Sequence, residues 1–128
     1  MSSPDLTEKN RAIVEEFARL FYGERRVREA FESFVTENYI QHNPGFADGR
    51  EAAIAGLTGL FGAQGASFDV QRIAVDGDLA AVHLRGAPAD HPPVAVADFY
   101  RLADGKIVEH WDVLQPIPDT ATNDHPMF

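Results

Sequence analysis

The spacing of hydrophobic residues divides the chain into a helical N-terminal half and a sheet-forming C-terminal half. Up to residue 62, apolar side chains recur every three or four positions, with stripes over residues 13–21, 27–35 and 53–61. This period predicts three helices. From Phe68 the period changes to two, which predicts four strands in an antiparallel meander. The pattern therefore indicates an α+β domain in which three N-terminal helices pack on one face of an antiparallel sheet.

Glycine and proline mark the ends of these elements. Ser3-Pro4 predicts the N-cap and first residue of helix one, and Gly23 predicts its end. An Asn-Pro-Gly sequence predicts that residues 37–45 form a turn and loop before the third helix. Prolines also end the last strand, so residues 116–128 are expected to be an irregular tail of a single domain spanning residues 1–128.

The last two predicted strands carry the polar side chains that suggest chemistry. They flank an Asp-Gly turn in A-V-A-D-F-Y-R-L-A-D-G-K-I-V-E-H-W-D-V-L-Q-P, residues 95–116. A three-residue loop ending in Gly105 would pair Asp98 with His110 and place both on one face with Asp112. A two-residue turn would shift the register by one and place Asp98 and Asp112 on opposite faces. Glycine at the third loop position favours the three-residue loop.

Two motifs stand out in the chain: Tyr39-Ile40-Gln41-His42-Asn43-Pro44 with Asp48-Gly49-Arg50, and Asp98-Phe99-Tyr100-Arg101 with residues 104–116. Both resemble motifs of the SnoaL-like polyketide cyclase family. The order of elements also resembles the cystatin-like α+β cone of nuclear transport factor 2 and ketosteroid isomerase. The resemblance covers nearly the whole chain. It implies the NTF2-like fold, with helices packed on a curved sheet around a mostly apolar pocket.

The resemblance also implies an activity. In the cyclases a single aspartate on the last strand is acid and base in an intramolecular aldol ring closure, without metal or cofactor. That aspartate corresponds to Asp112, and the cyclases' ring-positioning histidine falls at Asp98. The resemblance thus implies acid–base catalysis, by aldol-type cyclisation or isomerisation, on a small apolar oxygenated molecule. The alternative is a non-catalytic small-molecule-binding or dimerisation module of the same fold.

Asp112, Asp98 and His110 are the candidate catalytic residues. Asp112 has apolar neighbours in its strand, where desolvation and the charge of Asp98 would make it a stronger base for a proton next to a carbonyl. A solvated aspartate at the sheet edge is the alternative. Asp98 and His110 either form a structural pair that fixes the imidazole tautomer or join Asp112 in a relay.

Tyr39, His42, His83 and Tyr100 are the candidate substrate-binding residues. In the implied fold, Tyr39 and His42 lie near the pocket entrance, and Tyr100 shares the face of Asp98. His42 is alternatively a surface histidine, and the pattern leaves open whether His83 faces the cavity or solvent. We expect no metal site, because no two histidines have the i, i+4 spacing of a helical metal motif. The alternative is that the two carboxylates and the histidine on one face of the hairpin bind a divalent ion.

The composition limits which kinds of partner and which cellular compartment are expected for this protein. The chain has 11 basic and 20 acidic residues, a net charge of −9 and no basic run, which argues against nucleic acid and anionic membrane as partners. It has no cysteine, which excludes disulfides and thiolate chemistry. No apolar run approaches ~18 residues and the N-terminus lacks the apolar core of a signal peptide, so we expect a cytoplasmic protein.

Two further expectations concern assembly and the tail. The second hairpin face is expected to carry Phe99, Arg101, Ile107, Trp111 and Val113. Because this face is too apolar to remain exposed, and the resemblance implies sheet-to-sheet dimers, we expect a homodimer that buries Trp111. The terminal Met127-Phe128 pair is expected to anchor the tail near the pocket mouth.

Overall fold

The computed structural model describes residues 4–128 and confirms the predicted α+β class. The helices are α1 (Pro4–Ala18), α2 (Val27–Phe34) and α3 (Arg50–Gly62), and α1 continues into a π-helical turn, Arg19–Gly23. The strands are β1 (Val35–Gln41), β2 (Ser67–Asp76), β3 (Leu79–Ala87), β4 (Val94–Ala103) and β5 (Lys106–Pro116). The predicted N-cap, Ser3, lies outside the described residues. No described helix is long and apolar enough to cross a membrane.

Within residues 4–128 the sheet has five strands, in the order β1-β5-β4-β3-β2, rather than the predicted four. Strands β2 to β5 form the predicted antiparallel meander, and β1 pairs in parallel with β5. The prediction of a helix end and loop over β1 is therefore wrong. Polar residues at positions 36–38 interrupt the period-two pattern of β1, and its partner strand lies about seventy residues away, so no local signal identified it.

The β4–β5 hairpin has a different register from the one predicted. Asp98 pairs with Asp112 and Tyr100 with His110, and the connection is a two-residue turn. Asp104 and Gly105 have φ of +51° and +79°, as a tight hairpin turn requires. A β-bulge opposite Arg101 and Leu102 then takes up one extra residue of β5.

This bulge determines which side chains share a face. The two-residue turn shifts the register by one residue from the predicted one, and the bulge shifts it by one more. Asp98, His110 and Asp112 therefore lie on one face, although the predicted pairing and turn were wrong. The bulge also turns Ile107 into the core, where it is fully buried, rather than onto the opposite face as predicted.

Aromatic and aliphatic side chains form the core between the helices and the sheet. Phe17 of α1 contacts Phe21, Phe31 and Tyr100, with ring centroids 5.3, 5.5 and 5.3 Å apart. Truncating a buried phenylalanine to alanine typically costs about 3–5 kcal/mol. The buried Asn10 amide donates to the Gly77 carbonyl at 2.8 Å, which fastens α1 to the β2–β3 turn. The helix that carries the π-helical turn is thereby fixed against the sheet.

The face of the sheet away from the helices, here the outer face, is rich in apolar residues. It carries Ile40, Leu79, Phe99, Trp111 and Val113, of which Val113 is 65% exposed. The irregular tail folds back onto this side, where the ring of Phe128 lies 5.9 Å from that of His83. The tail is therefore anchored as expected, but on the outer face and not at the pocket mouth.

We predict that the outer face joins two copies of the chain, since an apolar patch of this kind is seldom left in water. The unmodified protein should sediment as a dimer at micromolar concentration. Val113→Asp should shift it toward monomer, because a buried unpaired charge is costly. Ala55→Asp, which adds the same charge on the exposed side of α3, is the control and should leave the dimer intact. A monomeric unmodified protein would refute the prediction.

Candidate active site

A cavity of about 160 Å³ lies between the helices and the sheet. Five phenylalanines line it, namely Phe21, Phe31, Phe46, Phe61 and Phe68, together with several aliphatic side chains. Its polar lining consists of Tyr22, Tyr39, Gln41, Asn43, Asp98, Tyr100, His110 and Asp112. The first of these comes from the π-helical turn and the others from β1, β4, β5 and the residues just after β1. The cavity thus has an apolar wall and a polar cluster.

The structure brings together the three predicted catalytic residues. His110 Nε2 lies 2.9 Å from Asp98 Oδ1 and 3.9 Å from Asp112 Oδ2. The side chains of His110, Asp98 and Asp112 are only 9%, 10% and 13% exposed. Their proximity follows from the hairpin register, because Asp98 and Asp112 are direct cross-strand partners and His110 is one step along.

Gln41 fixes the tautomer of His110. The backbone N–H of Asn43 donates to Gln41 Oε1 at 3.0 Å, which identifies this atom as the amide oxygen. The same oxygen lies 2.7 Å from His110 Nδ1, so Nδ1 must carry a proton and donate it. Gln41 Nε2 in turn donates to the Tyr39 hydroxyl oxygen at 2.7 Å.

A second proton must lie between His110 and Asp98. With Nδ1 protonated, a neutral imidazole would turn the lone pair of Nε2 toward the carboxylate oxygen of Asp98. Two lone pairs at 2.9 Å repel each other, and both groups are buried. The pair therefore holds one proton, as an imidazolium with a carboxylate or as an imidazole with a carboxylic acid.

Two tyrosines complete the environment of Asp98. The Tyr22 hydroxyl donates to Asp98 Oδ2 at 2.5 Å, and its oxygen lies 2.6 Å from the Tyr100 hydroxyl, which is then the donor in that contact. Burial, together with the charge of Asp98, raises the pKa of both phenols well above their ordinary value. Both tyrosines therefore stay protonated as hydrogen-bond donors at any physiological pH.

Asp112 has a different environment from Asp98. Its two carboxylate oxygens accept hydrogen bonds from Asn43 Nδ2, at 3.1 and 2.9 Å. None of the described hydrogen bonds gives Asp112 a second donor, and the side chain lines the cavity. Of the two carboxylates, Asp112 is therefore the one with free acceptor capacity toward a bound molecule.

Tyr39 supplies a hydrogen-bond donor that complements the acceptor Asp112. Its hydroxyl accepts from Gln41, and among the described residues no hydrogen bond uses its own proton. Burial, followed by the charge of Asp98, raises the pKa of Tyr39, so the hydroxyl is a neutral donor. The cavity thus holds one open acceptor and one open donor.

The predicted substrate-binding residues divide between the two faces of the sheet. Tyr39 and Tyr100 line the cavity. His42 does not, because alternation along the continuation of β1 turns it to the outer face, where it stacks on Trp111 at 4.9 Å and bonds Glu109 at 2.7 Å. His83 also faces outward and contacts Arg72 and Phe128. The expectation that His42 lies near the pocket entrance is therefore not met, and His83, whose face the sequence pattern left open, points outward.

The charged residues of the outer face form their own cluster, separate from the cavity. Glu109 bonds both His42 and Arg101, each at 2.7 Å. These partners, His42 first and then Arg101, lower the pKa of the Glu109 carboxyl. Its charge is thus neutralised on the far side of β5 from Asp112.

Sequence reasoning missed Tyr22, Gln41 and Asn43 as members of the site. Tyr39, Gln41 and Asn43 are each two residues apart in the sequence. If β1 and its continuation had been assigned as a strand, all three side chains would have been placed on one face. Tyr22 gave no such signal, because its inward orientation depends on the π-helical turn.

Asp98, His110 and Asp112 are also the residues that could bind a cation. One ligand atom from each lies within 4.8 Å of the others. The Nδ1–H contact to Gln41 leaves Nε2 as the possible ligand, as in many metal sites. The spacing rule that argued against metal considers helical histidine pairs, whereas these residues meet across two strands. The absence of a metal stays a prediction.

The chain belongs to the SnoaL-like domain family, whose pattern matches residues 14–110. No curated protein matches this sequence. The chain is thus placed in a family whose members share this fold.

Solved structures extend the likeness in fold. An NTF2-like protein of unknown function from Mesorhizobium loti is 23% identical, with a TM-score of 0.76 over 90% of this chain and 99% of that one. A candidate ketosteroid isomerase from Kribbella flavida is 21% identical, with a TM-score of 0.72 over 94% and 84%. A candidate SnoaL-like polyketide cyclase from Jannaschia sp. CCS1 is 26% identical, with a TM-score of 0.67 over 89% and 90%.

We predict that the folded protein shows almost no tyrosinate absorbance at pH ~10, where a free phenol is about half ionised. Tyr22, Tyr39 and Tyr100 are the only tyrosines of the chain, and each has a raised pKa. Near-ultraviolet titration of the folded protein, with the guanidinium-unfolded chain as control, measures this directly.

The raised pKa values of the tyrosines also determine how the free energy of unfolding changes at alkaline pH. A phenol with a higher pKa when folded binds more protons in the folded state, so the free energy of unfolding falls as pH rises above ~10. The tyrosines should then ionise together as the protein unfolds. A tyrosine that titrates near pH ~10 in the folded protein would contradict the described burial.

Proposed function

We propose that this protein is a cofactor-independent acid–base enzyme that moves a proton on a small, largely apolar, oxygenated molecule. Isomerisation and aldol-type cyclisation are the reaction types that fit. One observation carries the proposal: Asp112 lines an apolar cavity with free acceptor capacity, and the same cavity holds a tyrosine hydroxyl whose proton is unused. Family membership, with relatives described as isomerases and cyclases, supports it.

Asp112 would be the base. It would take a proton from a carbon next to a carbonyl, and the electron pair of that C–H bond would move into an enolate. Tyr39 would donate to the enolate oxygen and stabilise its charge. Protonated Asp112 would then return the proton, either to another carbon in an isomerisation or to the oxygen formed when the enolate attacks a second carbonyl.

His110 is a poor candidate for the base, since its nitrogens are both engaged with Gln41 and Asp98. Its proton-holding pair with Asp98 would instead limit the negative charge near Asp112. Without that proton the two carboxylates, cross-strand neighbours, would repel each other in a buried site. Asp98 and His110 would thus act together to support Asp112 as the base.

A specific observation favours a second candidate, a non-catalytic small-molecule-binding module. The hydrogen-bond chain from Tyr100 through Tyr22, Asp98 and His110 to Gln41 is complete without a ligand. Such a network can serve to rigidify a fold rather than to react. The two candidates differ in whether a bound ketone exchanges protons.

We expect the protein to accelerate the exchange of α-protons of 2-tetralone, a small apolar ketone, for deuterium in D₂O, followed by NMR. Asp112→Asn should reduce this rate by about 10²–10⁴-fold, because it removes proton transfer while keeping size. Asp98→Asn should reduce it less if Asp98 acts only through His110. Asp69→Asn, an exposed carboxylate on β2, is the matched control and should have no effect.

The outcomes separate the candidates. Exchange at the full rate in Asp112→Asn would show that the base lies elsewhere. Binding of 2-tetralone, detected by the fluorescence of the cavity tyrosines, with exchange no faster than in buffer would favour the binding module. Loss of exchange in Asp112→Asn together with unchanged binding would support the enzyme.

A further inference from the structure

The loop between β1 and α3 places an aromatic ring over the cavity. Phe46 belongs to this loop and lines the cavity together with Leu57 and Leu60 of α3. The side chain is half-buried. The ring therefore forms part of the boundary of the cavity that a bound molecule would contact.

The ring of Phe46 rests directly on the backbone of α3. A Cβ added at Gly56 would lie 2.3 Å from Phe46 Cε1 and 2.8 Å from Cδ1. Both distances are shorter than real carbon contacts, so no other residue fits at position 56 while the ring stays in place. Gly59 and Gly62 of the same helix have nothing within 4 Å of such an atom. Gly56 therefore forms a seat for Phe46, although glycine weakens a helix.

Asn43 links this loop to the Asp112 carboxylate. Its Oδ1 accepts from the Gly45 N–H at 2.8 Å and its backbone carbonyl accepts from the Phe46 N–H at 3.1 Å, which closes the turn that carries Phe46. Its Nδ2 donates to both oxygens of Asp112. A single residue thus positions the ring and the carboxylate relative to each other.

We propose that Phe46, seated on Gly56, determines the size of molecule that the cavity accepts, and that Asn43 is the positioning residue that keeps this ring in register with Asp112. The inference rests on the proposed function for the class of ligand, a small apolar oxygenated molecule. The size limit itself depends only on binding. It can therefore be tested whether or not the protein catalyses a reaction.

The first experiment compares two fluorescent phenols of different size, 2-naphthol with two rings and 1-hydroxypyrene with four. The unmodified protein should bind 2-naphthol more tightly. Phe46→Ala should tighten 1-hydroxypyrene binding by about tenfold, equivalent to about 1.4 kcal/mol, while changing 2-naphthol binding less. An unchanged ratio of the two dissociation constants in Phe46→Ala would overturn the proposal.

A glycine pair on α3 supplies a matched test of the seat. Gly56→Ala and Gly59→Ala add the same methyl group to the same helix, and each should raise helix propensity alike. Only Gly56→Ala displaces the ring, so it alone should change the ratio of the two dissociation constants, by threefold or more. Equal ratios in both variants, with folding verified by circular dichroism, would overturn the role of the seat.

The role of Asn43 has a separate readout. Asn43→Asp keeps an oxygen that accepts from Gly45 but replaces the donor to Asp112 with a second carboxylate. It should shift the pH profile of 2-tetralone exchange to higher pH, since a like charge beside the Asp112 carboxylate makes that carboxylate harder to ionise. An unshifted profile with normal exchange would overturn the positioning role. Absence of exchange in the unmodified protein would count against the proposed function and leave the size test standing.

Discussion

The contact between His110 and Asp98 is the constraint on which the rest of the site depends. The contact with Gln41 requires a proton on Nδ1 of the imidazole. The contact with the Asp98 carboxyl group requires a second proton between Nε2 and Oδ1. The pair thus shares a proton in a buried place. The Tyr22 hydroxyl donates to Asp98, and the Tyr100 hydroxyl donates in turn to Tyr22. Asp112, by contrast, accepts only from Asn43 among the described hydrogen bonds. Asp98 and Asp112, which are cross-strand partners of the same residue type, therefore differ in role because different hydrogen-bond partners surround their carboxyl groups.

The sheet keeps two polar systems apart. On its cavity side lie the buried carboxylates, the imidazole and the phenols, surrounded by aromatic rings. On its outer side Glu109 is neutralised by Arg101 and His42. Because strand residues alternate between faces, neighbours in sequence such as Glu109 and His110 belong to different environments. An acidic chain can in this way keep an apolar cavity whose charges are few and individually compensated.

Much of the fold and part of the site were predictable from local patterns. The helices, the meander and the cluster of Asp98, His110 and Asp112 followed from periodicity and from a family resemblance. The pairing of the hairpin was not predictable, because a bulge depends on how a strand fits its neighbours and the core and not on turn residues alone. The predicted grouping of the three residues held only because two register shifts compensated each other.

Other features depended on long-range contacts that leave no local signal. Strand β1 has a partner far along the chain, and its polar residues locally indicate a loop. The local pattern therefore predicts neither the inward position of Gln41 nor the outward direction of His42. The contact of Phe46 with Gly56 also leaves no local signal, since nothing in the sequence distinguishes the three glycines of α3. Only the folded structure distinguishes Gly56 from the other two.

The π-helical turn at the end of α1 has an evolutionary consequence. A π turn accommodates one more residue than the α-helix it interrupts, so it has the geometry of a single-codon insertion. Each residue advances an α-helix by about 100°, so losing one residue from 19–23 would rotate Tyr22 out of the cavity while leaving the upstream face of α1 in place. The extra residue of the turn thus directs the Tyr22 phenol to the buried Asp98 carboxylate.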